Sequence, residues 1–253
     1  GVGKGRDLTL TDEIRFPHSL GMLYSAFTYY LGFKVNDGEY KVMGMAPYGE
    51  PKYADLIREH LIDLKDDGSF HLNMDYFNYC TGLTMTNDRF ADLFGGPRRD
   101  PAEPPQQRHM DLARSVQDVL EDAVLALVRH LHEKTGEKNL CMAGGVALNC
   151  VANSVIRKAG LFENVYVPPA PTDAGTAVGA ALVACRALAP EAKAPALRTA
   201  QLGPSFSPVE IERALEGSGL RFERPTNMDD AVADLLADGK VVAVFRGRLE
   251  FGP

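Results

Sequence analysis

The most regular alternation of apolar and polar positions lies between residues 110 and 134. Apolar residues recur there at intervals of three and four, the period of a helix with one face on a core. They are Leu112, Val116, Val119, Leu120, Ala123, Val124, Leu127, Val128 and Leu131. Because Gly136 follows and favours a helix end, the pattern predicts a long helix packed on a core.

Shorter patterns predict the elements on either side of this helix. Before it, they predict a helix over 20–31, a turn-rich segment over 38–49, a helix over 52–64, a strand over 69–77 and a loop over 95–107. After it, they predict a strand over 140–143, a helix over 151–159, a strand over 164–167 and a helix over 174–188. This order indicates α/β packing with a sheet between helical layers.

The last quarter of the chain reads as a second unit. Residues 191–202, rich in Ala and flanked by Pro190 and Pro204, are typical of a linker. Ser207, Pro208 and Glu210 then predict a helix start, with a capping box and Pro at the first position. A helix over 228–238 and a buried strand over 241–245 should follow. Because no element follows that strand, we expect the chain to be a fragment at both ends.

Composition narrows the class of protein. The chain has 253 residues with 27 Lys and Arg against 34 Asp and Glu, a net charge of −7, which disfavours a nucleic-acid partner. No apolar run approaches the ~18 residues that span a bilayer, so no membrane segment is expected. The four cysteines, at 80, 141, 150 and 185, have neither CxxC nor zinc-site spacing. We therefore expect reduced thiols in a cytoplasmic protein.

A glycine-rich turn at 143–149 is the strongest candidate for ligand chemistry. Gly144 and Gly145 lie between a predicted strand and a predicted helix. Glycine lets the backbone approach a bound nucleotide closely, and the N–H groups of the next helix can face a phosphate. A tight turn required only by strand-to-helix geometry is the alternative, and the pattern leaves both open.

Three smaller groups of residues are further candidates. Asp173 could bind a metal or orient a substrate, or it could cap the helix that it precedes. Glu39, Lys41 and Gly44 could bind ribose or phosphate, or form a solvated turn. Arg246 and Arg248 could hold a phosphate or carboxylate, or form a surface pair.

Several longer runs carry a family resemblance. They are FPHSLGMLYSAFTYYLGF (16–33), GEYKVMGMAPYGEP (38–51), NLCMAGGVALNCVAN (139–153), VYVPPAPTDAGTAVGAA (165–181), GPSFSPVEIERAL (203–215) and FRGRLEFGP (245–253). In this order and over nearly the whole chain, they resemble the O-carbamoyltransferases of the nodulation-protein and antibiotic-tailoring type.

The resemblance implies an α/β fold in two parts. Residues 1–190 would be the C-terminal part of an actin-like (ASKHA) ATPase-type domain, its N-terminal part missing. Residues 191–202 would be the linker, and 203–253 the truncated start of a domain similar to threonylcarbamoyl-adenylate synthase.

The resemblance also implies a reaction. Such enzymes use carbamoyl phosphate and ATP to make carbamoyl-adenylate and pyrophosphate, then pass the carbamoyl group to a hydroxyl of a small molecule of the sugar, antibiotic or nodulation-factor type. The fragment alone is expected to be inactive. The alternatives are an actin-like sugar kinase and a catalytically incomplete nucleotide-binding module. No motif indicates the oligomeric state.

Residue by residue, the resemblance adds roles to the candidates. Gly144, Gly145, Val146 and Asn149 match an adenosine-binding turn. The segment containing Glu39, Lys41 and Gly44 is similar to one that lines the nucleotide pocket.

Asp173 matches a metal ligand that acts with two upstream histidines of an HxxxH-type motif, which this chain lacks. The implied metal is divalent, iron or another. Arg246 and Arg248 open a motif of phosphate-holding arginines that continues beyond Pro253 in the family.

Overall fold

The structure is a computed structural model that describes residues 1–5, 7–192, 197 and 199–252. The chain divides into two compact units, Gly1–Pro171 and Thr172–Pro253. Residues 193–196 and 198 of the predicted linker lie outside the described residues. The predicted domain boundary near residue 190 stays a prediction.

The first unit mixes helices with short strands. In chain order these are β1 (Val2–Lys4), β2 (Asp7–Thr9), α1 (Leu20–Tyr30), α2 (Glu39–Met45), α3 (Ala54–His60), β3 (Ile62–Leu64), β4 (Phe70–Leu72), α4 (Asp88–Leu93), α5 (Gln107–Thr135), β5 (Asn139–Cys141), α6 (Cys150–Ala159) and β6 (Asn164–Tyr166). Single 3₁₀ turns occupy Ala46–Tyr48, Met74–Tyr76 and Gly145–Leu148. The mixed α/β class is therefore confirmed.

Helix α5 is the centre of the core and confirms the predicted long helix. It ends at Gly136, whose φ of 62° is the left-handed conformation that glycine adopts most easily. Its apolar stripe is buried, and α1, α2, α3 and α6 pack on it. Between α1 and α4 an aromatic cluster forms, with the ring of Phe27 lying 5.2 Å from Phe90 and 5.4 Å from Phe94.

Helix α1 confirms the prediction over 20–31, and both of its ends follow from the sequence. The Ser19 hydroxyl accepts a hydrogen bond from the Met22 N–H at 3.3 Å. The chain then turns at Gly32, with φ 80°, where a Cβ atom would lie only 2.8 Å from the Arg99 carbonyl oxygen. Only glycine fits this close approach without a shift of the backbone.

Three predictions for the segment before α5 need correction. The turn-rich segment 38–49 is largely helical, because burial of Val42 and Met45 overrides the weak helix propensity of its glycines. The predicted helix over 52–64 ends at His60, and Ile62–Leu64 forms β3, which pairs antiparallel with β4. The predicted strand over 69–77 contains only the three residues of β4, after which Asn73 caps a 3₁₀ turn.

Strands β5 and β6 pair in parallel and are joined through α6. This arrangement confirms the predicted order of strand, helix and strand, but the expectation of a sheet between helical layers is wrong for the described residues, whose strands pair only in twos. In β5 only the side chain of Leu140 is buried. The position of the following turn must therefore depend on contacts other than the sheet.

The second unit contains α7 (Asp173–Leu188), α8 (Pro208–Ser218) and α9 (Met228–Ala237). The predicted capping box is confirmed, since the Glu210 carboxylate accepts from the Ser207 N–H at 2.7 Å and the Ser207 hydroxyl accepts from the Glu210 N–H at 3.3 Å. The predicted strand over 241–245 is wrong. A strand needs a neighbour for its backbone hydrogen bonds, and within the described part of 199–252 none pairs with it, so Val241 and Phe245 are exposed.

No helix in the described part of the chain is both long enough and apolar enough to cross a lipid bilayer.

Asp111 joins the segment before α3 to helix α5. Its carboxylate, only 4% exposed as a residue, accepts hydrogen bonds at 2.9 Å from the Glu50 N–H, the Gln107 amide and the Lys52 ammonium. Burial alone would raise the pKa of Asp111, but these hydrogen bonds outweigh burial and lower it below its usual value. The carboxylate is therefore stabilised in its charged form.

We expect Asp111→Asn to lower the free energy of unfolding at pH 7 by about 1–3 kcal/mol, because an amide cannot accept from all three donors. Since the folded pKa lies below the unfolded value, the carboxylate stabilises the fold above about pH 4 and loses this effect as the pH falls through the folded pKa. The difference between the wild type and the variant should therefore shrink in acid. Urea unfolding followed by circular dichroism measures it, with Asp66→Asn, at an exposed turn, as the control. A difference that is constant from neutral to acid pH would contradict this assignment.

Candidate nucleotide site

The glycine turn connects β5 to α6 and leaves its backbone bare. Gly144 has φ 97°, and its N–H donates to the Pro171 carbonyl at 2.6 Å. A Cβ atom added at Gly144 or Gly145 would meet no heavy atom within 4 Å, and both residues are exposed. The turn thus combines the two properties predicted for it: a conformation that favours glycine, and open space beside the backbone.

Asn149 holds this turn against α5. Its Oδ1 accepts from the Ala152 N–H at 2.9 Å, which caps α6. Its amide also pairs reciprocally with Gln117, which donates to Asn149 Oδ1 at 3.1 Å and accepts from Asn149 Nδ2 at 2.8 Å. Because Asn149 is 8% and Gln117 1% exposed, the pair is a buried connection between turn and helix.

The same amide reaches α1. The Tyr24 hydroxyl donates to Gln117 Oε1 at 2.9 Å. Burial raises the pKa of Tyr24, a hydrogen bond with Asn149 acts in the opposite direction, and the nearby carboxylates of Glu39 and Glu121 raise it further. The phenol therefore stays protonated at neutral pH and can keep donating.

Glu39 approaches this network from the other side. It is the first residue of α2, and its Oε1 accepts from the Ser25 hydroxyl at 2.7 Å and from the Asn36 N–H at 3.1 Å. Its Oε2 accepts no hydrogen bond from a described residue. Since Ser25 follows Tyr24 on α1, Glu39 and the Gln117–Asn149 pair bind neighbouring residues of that helix.

Helices α2 and α6 also meet directly. The sulfur of Met43 lies 3.8 Å from that of Cys150. Each residue neighbours a predicted nucleotide ligand, Gly44 in the first case and Asn149 in the second. A Cβ at Gly44 would meet no heavy atom within 4 Å, so α2 also presents bare backbone here.

Val146 and Lys41 complete the predicted set. A Cβ at Gly21 on α1 would lie 3.6 Å from Val146 Cγ2, so Val146 packs close to α1. The Lys41 ammonium is exposed and lies 5.9 Å from the centroid of the Phe33 ring. The two predicted segments, 38–44 and 144–149, therefore lie together on α1.

Sequence reasoning missed Tyr24, Ser25 and Gln117, which hold these segments. The signal available for Gln117 was its place on the buried face of α5, four residues after Ala113 and three before Leu120. A polar residue at such a position needs a buried partner.

In the second unit, Asp173 is the first residue of α7. Thr172 occupies the capping position, and the Asp173 carboxylate is exposed in the first turn, where negative charge stabilises a helix. No group of three or more His, Cys, Asp or Glu side chains among the described residues could hold a metal ion. Asp173 therefore does not form a metal centre with them.

The two arginines of the second unit differ in their contacts. Arg248 donates to the carbonyls of Gly203 at 2.7 Å and Leu202 at 3.2 Å, which joins two segments of this unit. Arg246 is exposed and makes no hydrogen bond or ion pair with a described residue. Of the two, only Arg246 has its whole guanidinium available to a ligand.

Comparison with known proteins identifies the family. A family model described as the carbamoyltransferase N-terminus matches residues 1–182, which include every candidate nucleotide ligand and Asp173. The chain belongs to the carbamoyltransferase family. The resemblance found in the sequence is thus confirmed.

Three curated relatives match nearly the whole chain. The uncharacterised protein sll1178 of Synechocystis is 55% identical, over 99% of this chain and 42% of its own length. Nodulation protein NolNO of Sinorhizobium fredii is 36% identical, over 100% of this chain and 36% of its own. Nodulation protein NolO of Bradyrhizobium diazoefficiens is 34% identical, over 100% and 44%. The chain therefore spans less than half the length of these relatives.

We expect Asn149→Ala to lower the free energy of unfolding by about 2–3 kcal/mol, because it removes a helix cap and both hydrogen bonds between the buried Asn149 and Gln117 amides. Denaturant unfolding followed by circular dichroism measures the loss. The matched control is Asn87→Ala, which removes the cap of α4, where the Asn87 side chain accepts from the Phe90 N–H at 3.3 Å, together with an exposed bond from the Asn87 amide to the Asp75 carbonyl at 2.9 Å, and should cost about 1 kcal/mol. Equal losses in the two variants would show that the amide pair contributes nothing.

Proposed function

We propose that this chain is part of an ATP-dependent O-carbamoyltransferase that makes carbamoyl-adenylate from carbamoyl phosphate and ATP and transfers the carbamoyl group to a hydroxyl of a small molecule. Family membership supports carbamoyl transfer. The observation that carries the nucleotide part is the meeting of segments 38–44 and 144–149 on α1, through Ser25 and through the Tyr24–Gln117–Asn149 network.

In this proposal the first unit binds the nucleotide. The free Oε2 of Glu39 accepts from a ribose hydroxyl, and the exposed Lys41 ammonium neutralises phosphate charge. The bare backbone at Gly44, Gly144 and Gly145 lets the nucleotide approach closely. Asn149 acts as a positioning residue that holds the turn, because its side chain is already engaged with α5.

The chemistry requires an activated carbamoyl group. A hydroxyl is a weak nucleophile at neutral pH, so it must meet the carbamoyl group as a mixed anhydride, which in this proposal carries AMP in place of the phosphate of carbamoyl phosphate. Arg246 would hold phosphate oxygens as pyrophosphate leaves, in a domain of the adenylate-forming type, and Arg248 would act as a positioning residue through its bonds to Gly203 and Leu202. The first unit would belong to a domain of the actin-like type.

Asp173 is proposed as one ligand of a divalent metal, iron or another. Because Asp173 belongs to no group of three or more ligating side chains among the described residues, we assign no reaction step to that metal.

The products of ATP turnover test the proposed reaction. Carbamoyl-adenylate keeps AMP and the carbamoyl group, so its formation from ATP and carbamoyl phosphate must consume one water and release one phosphate and one pyrophosphate. We expect the purified protein that contains this chain to release pyrophosphate from ATP only when carbamoyl phosphate is present. Release of ADP, independent of carbamoyl phosphate, would instead indicate a sugar kinase. Binding of an ATP analogue without turnover would indicate a nucleotide-binding module.

Gly44→Ala separates binding from stability. The added methyl group has open space on a helix, so we expect the variant to gain about 0.4–1 kcal/mol in free energy of unfolding. The same methyl group should weaken the binding of a non-hydrolysable ATP analogue, measured by calorimetry, on the order of tenfold by displacing the nucleotide from the backbone. The control is Gly179→Ala in α7, which also meets open space and should leave affinity unchanged. Unchanged affinity in Gly44→Ala would remove α2 from the nucleotide site.

A further inference from the structure

A cleft of about 630 Å³ lies in the first unit beside the loop between α1 and α2. Its lining includes the rings of Tyr29, Phe33 and Tyr79 and the apolar side chains of Val35, Leu83 and Met85. This volume falls within the range of small-molecule sites, roughly 300–1,000 Å³. The lining contains no residue of the glycine turn or of α2, and the cleft adjoins the candidate nucleotide site at Phe33, whose ring centroid lies 5.9 Å from the Lys41 ammonium.

Hydrogen bonds hold the walls of the cleft in place. The Tyr79 hydroxyl donates to the Pro17 carbonyl at 2.9 Å. In the opposite loop, the Gly82 N–H donates to the Asn78 carbonyl at 2.7 Å, and the Asn78 amide donates to the Thr84 hydroxyl at 2.8 Å. The cleft is thus preformed, which reduces the ordering cost of binding.

Two cations face this cleft without a protein counter-charge. The Arg98 guanidinium lies 4.2 Å from the centroid of the Tyr29 ring, and its Nε donates to the Tyr29 carbonyl at 2.6 Å. Its terminal nitrogens make no hydrogen bond or ion pair with any described residue, and neither does the Lys34 ammonium. The four N–H donors on the terminal nitrogens of Arg98 and the three on the Lys34 ammonium therefore have no partner among the described residues and are available to a ligand.

The neighbouring arginines show the contrast. Arg99 donates to the carbonyls of Leu31 and Asp100, and Arg108 donates to the Phe94 carbonyl and the Tyr30 hydroxyl. Both guanidinium groups thus bind the chain itself. The terminal nitrogens of Arg98, by contrast, bind no described residue, although the chain has a net charge of −7 and therefore more carboxylates than basic side chains.

The adjoining cleft of about 410 Å³ shares Tyr29, Thr84 and Arg98 with the first and includes Asp88 in its lining. Asp88 forms no ion pair with Arg98. The positive charge of Arg98 is thus not neutralised from this side either.

We propose that the larger cleft binds a small organic anion with an apolar or aromatic body. The body would lie against Tyr29, Phe33 and Leu83. Leu83 is a fully exposed residue. Its carboxylate, sulfonate or phosphate oxygens would accept from the terminal nitrogens of Arg98, whose planar donors suit such groups, and from Lys34. This site is independent of the proposed function.

A pair of dyes that differ in charge tests the proposal. The chain has no tryptophan, so Leu83→Trp gives a single reporter at the rim of the cleft. We expect energy transfer from this reporter to bound 8-anilinonaphthalene-1-sulfonate and to its neutral counterpart N-phenyl-1-naphthylamine. In that background, Lys34→Gln and Arg98→Gln should each raise the dissociation constant of the sulfonate about threefold to tenfold and leave that of the neutral dye unchanged.

Lys4→Gln, an exposed lysine on β1, is the control and should change neither dissociation constant. The Lys34 ammonium makes no hydrogen bond or ion pair with a described residue, so Lys34→Gln should fold. It therefore tests the proposal even if Arg98→Gln unfolds. Unchanged sulfonate affinity in Lys34→Gln, or an equal loss for both dyes, would overturn the proposal. Displacement of the sulfonate by ATP would overturn the separateness of this cleft from the nucleotide site.

Discussion

Helix α5 buries four polar side chains, and three of them each fix the position of another segment. Asp111 accepts from the Glu50 N–H, Ser115 accepts from the Tyr53 N–H at 2.9 Å, and Gln117 pairs with Asn149. A buried polar group without a partner costs about 1–3 kcal/mol, so any shift of these segments along the helix would be opposed three times. Apolar contacts alone would tolerate such a shift far better, because they have no directional requirement.

The candidate nucleotide site depends on the last of these contacts. The two-stranded β5–β6 pair buries only Leu140 in β5 and cannot by itself fix the glycine turn. The buried amide of Gln117 does so through Asn149, and it also accepts from Tyr24 on α1. The turn, α1 and, through Ser25, the start of α2 are therefore aligned by one helix.

Much of the fold could be predicted where the signal is local. The helical period of its apolar residues predicts α5, and Gly136 predicts where that helix ends. Gly32 likewise predicts the end of α1. None of these signals depends on the rest of the chain. Helix α2 could not be predicted, because its glycines oppose a helix and only the burial of Val42 and Met45 favours one. The strand expected at 241–245 failed for the related reason that an apolar run does not say whether a partner strand exists.

The candidate site, like the fold, could be predicted only where the sequence signal is local. Gly144 and Gly145 were found because glycines between a strand and a helix have a recognisable local meaning. Tyr24 and Gln117 were not, since a polar residue inside a helix acquires a role only when its partner is known. Their importance comes from long-range contacts, here between residues far apart in the chain.

The hydrogen-bond partners of each polar side chain distinguish residues that build the site from residues that can bind a ligand. Asn149 and Arg248 already bind groups of the chain, so contact with a ligand would compete with a structural bond. Glu39 has a free oxygen, and Lys41 and Arg246 form no ion pair with a described residue. We therefore expect ligands to meet these three side chains and the bare glycine backbone, while the engaged residues act through the geometry that they maintain.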